Sequence, residues 1–289
     1  MAQDEVDLKY KYLYNRSLKE MSHIFNFNED NSPYDKNAKP VWADNHSYHV
    51  DYTHNSYGYR CDEFNNQKIM FLGCSNTYGV GSNIESTWPN ILSKKLNLDY
   101  INLGTPGDSA QSQIIKAFQF FKEFYNPEYI VAFLPVFRLE APKIKNILMK
   151  EKEKNKDGHE IFQHFFDNKN ILKYAKAPYN LDYILPREFS VFYNFMFIQM
   201  LIQYCESNNI KLYWSTYEIQ KGYQVKPFLD LTNPKNYFEV NFFNPDYLKK
   251  YDCHNEFKNN EGFDFAADNS HLGLHYHLHL AELIHSIMV

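Results

Sequence analysis

A repeated pattern constrains this chain most: a short apolar run, a glycine-bearing turn, then an amphipathic stretch. Ile69-Met-Phe-Leu72 ends at Gly73, and a helix is expected over 86–96, capped by Ser86 or Thr87 with Pro89 in its first turn. Tyr100-Ile-Asn-Leu103 ends at Gly104 and leads to a helical stretch at 109–125, with Ile114, Ile115, Phe118 and Phe121 on one side. Tyr129 to Leu134 is a third run, and Lys211 to Thr216 a fourth, preceded by a strongly apolar helix at 187–208. An amphipathic helix from His275 to Met288 closes the chain. Apolar runs this short, bounded by turn residues, read as fully buried strands. Strand, turn and helix in alternation make βαβ units, hence a parallel sheet with helices on both faces. The expected class is α/β. Ligands of such sheets bind outside the carboxyl ends of the strands, so the turns after Leu72, Leu103 and Leu134 are the places to search.

The first turn is Gly73-Cys74-Ser75-Asn76-Thr77-Tyr78-Gly79. A serine there stands at the sheet edge, where a nucleophile's own N–H can help to hold an oxyanion. A plain βα turn explains the same residues. The second turn is Asn102-Leu-Gly104-Thr-Pro-Gly107-Asp108-Ser109. Gly107 lacks a Cβ and can bring a bare amide to a substrate; otherwise this is a tight turn with Asp108 or Ser109 as helix cap. The third piece, Asp268-Asn-Ser-His271, precedes the last helix. There the carboxylate can fix the imidazole tautomer and leave the other nitrogen for a nucleophile. Alone, Asp268 reads as a cap and His271 as a surface residue.

Together, in this order, the three pieces resemble the SGNH (GDSL-type) hydrolase family. The first turn is similar to that family's G-D-S-x-T-x-G block, the second to its glycine block, and Asp268-Asn-Ser-His271 to its D-x-x-H block. Asn55-Ser-Tyr-Gly58-Tyr-Arg60-Cys-Asp-Glu63 is similar to the N-x-x-G-x-R-x-x-E segment that precedes the first block in many members. The resemblance implies a three-layer α/β/α sandwich with a flavodoxin-like parallel sheet of about five strands. It implies Ser75 as nucleophile, His271 as base and then acid, Asp268 as its orienter, and the amides of Ser75 and Gly107 as oxyanion hole. The activity implied is hydrolysis of a small acyl ester, acetyl by preference, on a small molecule or glycan, with no cofactor. Tyr78, Asn76 and Trp88 are expected near the substrate, Trp88 half buried.

Two positions depart from the family pattern. Cys74 stands where aspartate is usual, and is a second, less favoured nucleophile. Phe137 stands where the third block has an oxyanion asparagine. Arg138 then has two readings, a replacement donor or anion contact, or an ion-pair partner of Glu140 or another carboxylate. The missing donor leaves a non-catalytic alternative on the same fold, a glycan-binding or virion structural protein.

The rest of the sequence sets bounds. Residues 1–54 read as an N-terminal extension, with a helix at 7–25 and an extended part after it. Residues 55–289 read as the hydrolase-like domain, with an insertion at about 140–186. Hydrophobic residues at 44% and charged residues at 22% argue against wholesale disorder. A net charge of −5 offers no basic footprint, so no nucleic acid is expected as partner. No apolar run approaches a spanning helix, so no membrane partner is expected either. Met1 to Lys11 is charged, without a signal peptide's apolar stretch. The expectation is a cytoplasmic protein, or a virion-associated one if phage-borne. The four cysteines form no C-x-x-C pair and read as reduced thiols. The 18% of aromatic residues reads first as AT-rich codon usage and second as a sugar-stacking surface. His275, His279 and Glu282 share a helix face, but the H-E-x-x-H glutamate is absent and no metal is expected; His46, His49 and His54 are read the same way.

Overall fold

The computed structural model describes residues 52–136, 187–216, 236–238, 240, 271 and 273–289. The expected helix at 7–25 and the insertion at 140–186 lie outside the described residues. The elements in chain order are β1 (Ile69–Gly73), α1 (Ser75–Tyr78), a 3-10 turn (Ile84–Ser86), α2 (Trp88–Leu96), β2 (Tyr100–Asn102), α3 (Ala110–Glu123), β3 (Tyr129–Leu134), α4 (Arg187–Ser207), β4 (Lys211–Thr216) and α5 (Leu274–Met288).

The four apolar runs are strands, and β1 is buried at every residue. They pair in parallel in the order β2-β1-β3-β4. This is the flavodoxin-like order, whose switch point lies between β1 and β3. The register there sets Gly73 opposite Phe133. Among the described residues the sheet has four strands.

The two-residue period of the strands divides the core. Ile69, Phe71, Val131 and Phe133 face Trp88 and Leu92 of α2 and Tyr276, Leu280 and Ile284 of α5. Met70, Leu72, Ile130 and Ala132 face Ile114, Ala117 and Phe120 of α3 and Phe195, Ile198 and Leu201 of α4. One helix pair covers each side, which makes the α/β/α sandwich. Strands buried on both faces have no polar alternation, which is why they read as continuous apolar runs.

The helix ends follow local chemistry. Ser109 caps α3 by accepting the Ser112 amide at 3.1 Å. Thr87 occupies the cap position of α2, but its hydroxyl donates to the Ile84 carbonyl at 2.8 Å instead of capping. Trp88 is fully buried, not half buried as expected, because its ring stands edge-on to Phe71 at 5.0 Å beneath α5. On α4, Phe195 enters the core, whereas Phe192 and Met196 are about half exposed. Although α4 has 21 residues, no described helix is long and apolar enough to cross a membrane.

Candidate active site

Ser75 opens a one-turn helix directly after β1, where the sequence predicts only a polar turn. The Cys74 carbonyl accepts the amides of Thr77 at 3.0 Å and Tyr78 at 2.9 Å. The Ser75 carbonyl accepts those of Gly79 at 2.8 Å and Val80 at 3.1 Å. Gly79, with φ +83°, ends the helix in the left-handed region, a common exit for glycine. At Gly73 the constraint is steric. A Cβ there would lie 2.0 Å from Thr77 Oγ1 and 2.7 Å from the Phe133 carbonyl oxygen. The tight turn that delivers Ser75 at the β1/β3 switch point therefore excludes any side chain at 73.

The second turn is laced to the first. Asn102 Nδ2 donates to the Thr77 carbonyl at 2.9 Å, and its Oδ1 accepts the Gly104 amide at 2.9 Å. The Thr105 amide donates to the Gly73 carbonyl at 3.1 Å. A Cβ on Gly104 would stand 2.8 Å from the Tyr78 nitrogen, so the two turns touch backbone to backbone. From α3, Gln113 Oε1 accepts the Gly73 amide at 3.0 Å while its Nε2 donates to the Asp108 carboxylate. Lys116 pairs with the same carboxylate and donates to Thr105 Oγ1 at 3.0 Å. One glutamine thus holds the residue two before Ser75 and the residue after Gly107. Gln113 and Lys116 escaped the sequence reading, because a polar residue on a helix carries no local sign of what it will meet.

Ser75 is 6% exposed, and its hydroxyl has a weak contact with Cys74 Sγ at 3.9 Å. Among the described residues, the amides of Ser75 and Gly107 have no acceptor. Gly107 has φ +81°, a backbone that glycine adopts without strain. Cys74 is buried beside Ser75. Burial pushes the thiols of Cys61 and Cys205 up to about 12, which makes them inert core cysteines. Cys253 lies outside the described residues.

His271 is half-buried, two residues before Gly273, the cap of α5. The structure shows no hydrogen bond between it and Ser75. Asp268, Phe137 and Arg138 lie outside the described residues. A second histidine, His277, joins α5 to α2. His277 is 1% exposed, and its Nδ1 accepts the Trp88 amide at 3.2 Å. The start of α5 is thereby joined to the start of α2. An accepting Nδ1 leaves the ring proton on Nε2.

Burial, then the charges of Arg60 and His271, lowers the His277 pKa to about 3. The unfolded chain protonates this histidine near 6.5 and the folded chain does not, so the stability it contributes is complete above 6.5 and falls as pH drops towards 3. The loss approaches about 1.4 kcal/mol per pH unit for this group. Urea melts at pH 7 and pH 5 should show it, and His277→Gln should flatten the difference. An equal pH response in that variant would assign the effect elsewhere.

Tyr78 and Asn76, expected at the substrate, are 1% and 2% exposed. The Tyr78 ring stacks on Tyr52 at 5.6 Å and on His54 at 5.8 Å, and its hydroxyl bonds His54 Nε2 at 2.8 Å. As placed, it is a packing residue. Burial, then the Arg60 charge, brings His54 down to about 4, so it is a neutral imidazole at pH 7.

No family model matches the chain, and no curated protein matches it. Solved structures do. One is a protein of the G-D-S-L family from Desulfitobacterium hafniense described as lipolytic, 15% identical over 65% of this chain and 74% of that one, with a TM-score of 0.29. A second is the acetyl xylan esterase AlAXEase, 17% identical over 76% and 99%, with a TM-score of 0.38. A third is the psychrotrophic esterase EstA from Pseudoalteromonas sp., 14% identical over 76% and 93%, with a TM-score of 0.39. The chain is similar to GDSL-type esterases.

Proposed function

We propose that this chain is a serine esterase that removes a small acyl group, acetyl by preference, from a small molecule or a glycan. The observation that carries the reading is the placement of Ser75. It leads a one-turn helix at the β1/β3 switch point, with its amide uncommitted among the described residues and Gly107 on a turn laced to its own. In the proposed reaction Ser75 Oγ attacks the acyl carbonyl carbon and His271 takes the hydroxyl proton. The amides of Ser75 and Gly107 hold the oxyanion. His271 returns the proton to the leaving alkoxide. Water then attacks the acyl-Ser75 ester, again through His271, and releases the acid. Asp268 orients the imidazole, and Arg138 takes the place of the third-block asparagine as donor or binds an anionic group on the substrate. No cofactor enters these steps.

A second reading, a non-catalytic glycan-binding or virion structural protein, is favoured by Phe137 at the asparagine position. Labelling with a fluorophosphonate probe, with the adduct mapped by mass spectrometry, separates the two. The esterase reading expects an adduct on Ser75 that disappears in His271→Ala. Folded protein without adduct would turn the case to the second reading.

A further inference from the structure

The structure points to Arg60 as a residue that positions Ser75 from behind. We propose that its guanidinium, acting through the Gly79 peptide, holds the one-turn helix of Ser75 in the form that reacts; the inference rests on the esterase reading above.

Arg60 is 1% exposed. Its Nη1 donates to the carbonyls of Gly79 at 2.7 Å and Tyr78 at 3.3 Å, and its Nη2 to that of Ser82 at 2.7 Å. Its Cζ lies over the Tyr52 ring, 4.6 Å from the centroid, and over the Tyr78 ring at 5.6 Å. These carbonyls converge because Gly79 and Gly81 both have positive φ, +83° and +75°, which folds the chain back on itself. Converging carbonyl dipoles in a buried place repel one another unless a cation meets them. The Gly81 amide donates to the hydroxyl of the same Tyr52 at 2.7 Å, so the ring that meets the guanidinium also holds the loop.

The route to the serine is one peptide long. The Gly79 carbonyl meets the guanidinium, and the Gly79 amide donates to the Ser75 carbonyl at 2.8 Å. Four backbone bonds close this helix, and the Gly79 amide makes one of the two that end on the Ser75 carbonyl.

The segment 55–63 is built to present Arg60. Asn55 Oδ1 accepts the amides of Tyr57 and Tyr59, each at 3.0 Å. The Glu63 carboxylate accepts the Ser56 amide at 2.6 Å and the Ser56 hydroxyl at 2.7 Å. Gly58 turns the loop with φ +85°. The lead-in motif is therefore a closed loop that turns Arg60 inward together with its neighbours Tyr59 and Cys61.

The test uses the full chain, with fluorophosphonate labelling rate of Ser75 and amide hydrogen exchange as paired readouts. Arg60→Lys keeps the charge but lacks the fork that spans Gly79 and Ser82. It should stay folded, label about 10–100-fold more slowly, and exchange the Gly79 amide faster. In Arg60→Ala, methylguanidinium should restore labelling and ethylammonium should not. A simple loss of fold would respond to neither. Labelling and Gly79 exchange at wild-type rates in folded Arg60→Lys overturn the proposal. Equal rescue by both cations overturns it as well, since charge alone would then suffice. A wild-type chain that takes no label overturns the esterase reading, and the exchange result still decides whether Arg60 holds the turn.

Discussion

Ser75→Ala should lower turnover of a chromogenic acetyl ester by about 10⁴-fold or more, a loss typical of removing a catalytic serine. The same variant should melt close to wild type. The hydroxyl has only a weak contact, with Cys74 Sγ at 3.9 Å, and the bonds that build the turn are made by backbone atoms. Activity and stability are therefore expected to separate, and that separation assigns chemistry to the side chain. The neighbouring thiol supplies the control. Cys74 is 1% exposed and stands first to replace Ser75 if the serine is inert. Cys74→Ala should retain most turnover. The reverse result, activity kept in Ser75→Ala and lost in Cys74→Ala, would move the nucleophile by one residue.

Gly73→Ala should be the most damaging single-methyl change in the turn, at about 3 kcal/mol of stability, the upper end for overpacking. The added carbon would meet Thr77 Oγ1 at 2.0 Å and the Phe133 carbonyl oxygen at 2.7 Å. The first contact belongs to a side chain and the second to the backbone of the adjacent strand. Thr77→Ala in the same chain should therefore restore only part of the loss. Full restoration would mean that the β1–β3 approach is not the limit; urea denaturation of the two single variants and the double variant settles this. Labelling of Ser75 should also fall in Gly73→Ala, because relief of the clash must move the turn that carries the serine.

Much of the fold was legible in the sequence. The runs at 69–72 and 129–134 are continuously apolar, as a parallel strand between helix layers requires, while the run at 211–216 leaves Lys211 exposed. Helix ends followed too where the cap is local, as at Ser109. The turns that carry Ser75 and Gly107 were legible because glycine turns after strands are visible in the chain order. The one-turn helix at Ser75 was not, since four residues have no periodicity to read.

What the sequence determined by itself was thus the layered class of fold and the edge on which to look. The tertiary structure alone decided the supports of the site. Gln113 reaches the Gly73 amide across forty residues, and His277 reaches the Trp88 amide across 189. Arg60 meets carbonyls at 78, 79 and 82. It also decided that Tyr78 and Trp88 are packed inside. Periodicity and turn chemistry act over a few residues and leave their record in the sequence. A buried hydrogen bond between distant segments depends on where the sheet brings them, and either partner alone looks like any polar residue.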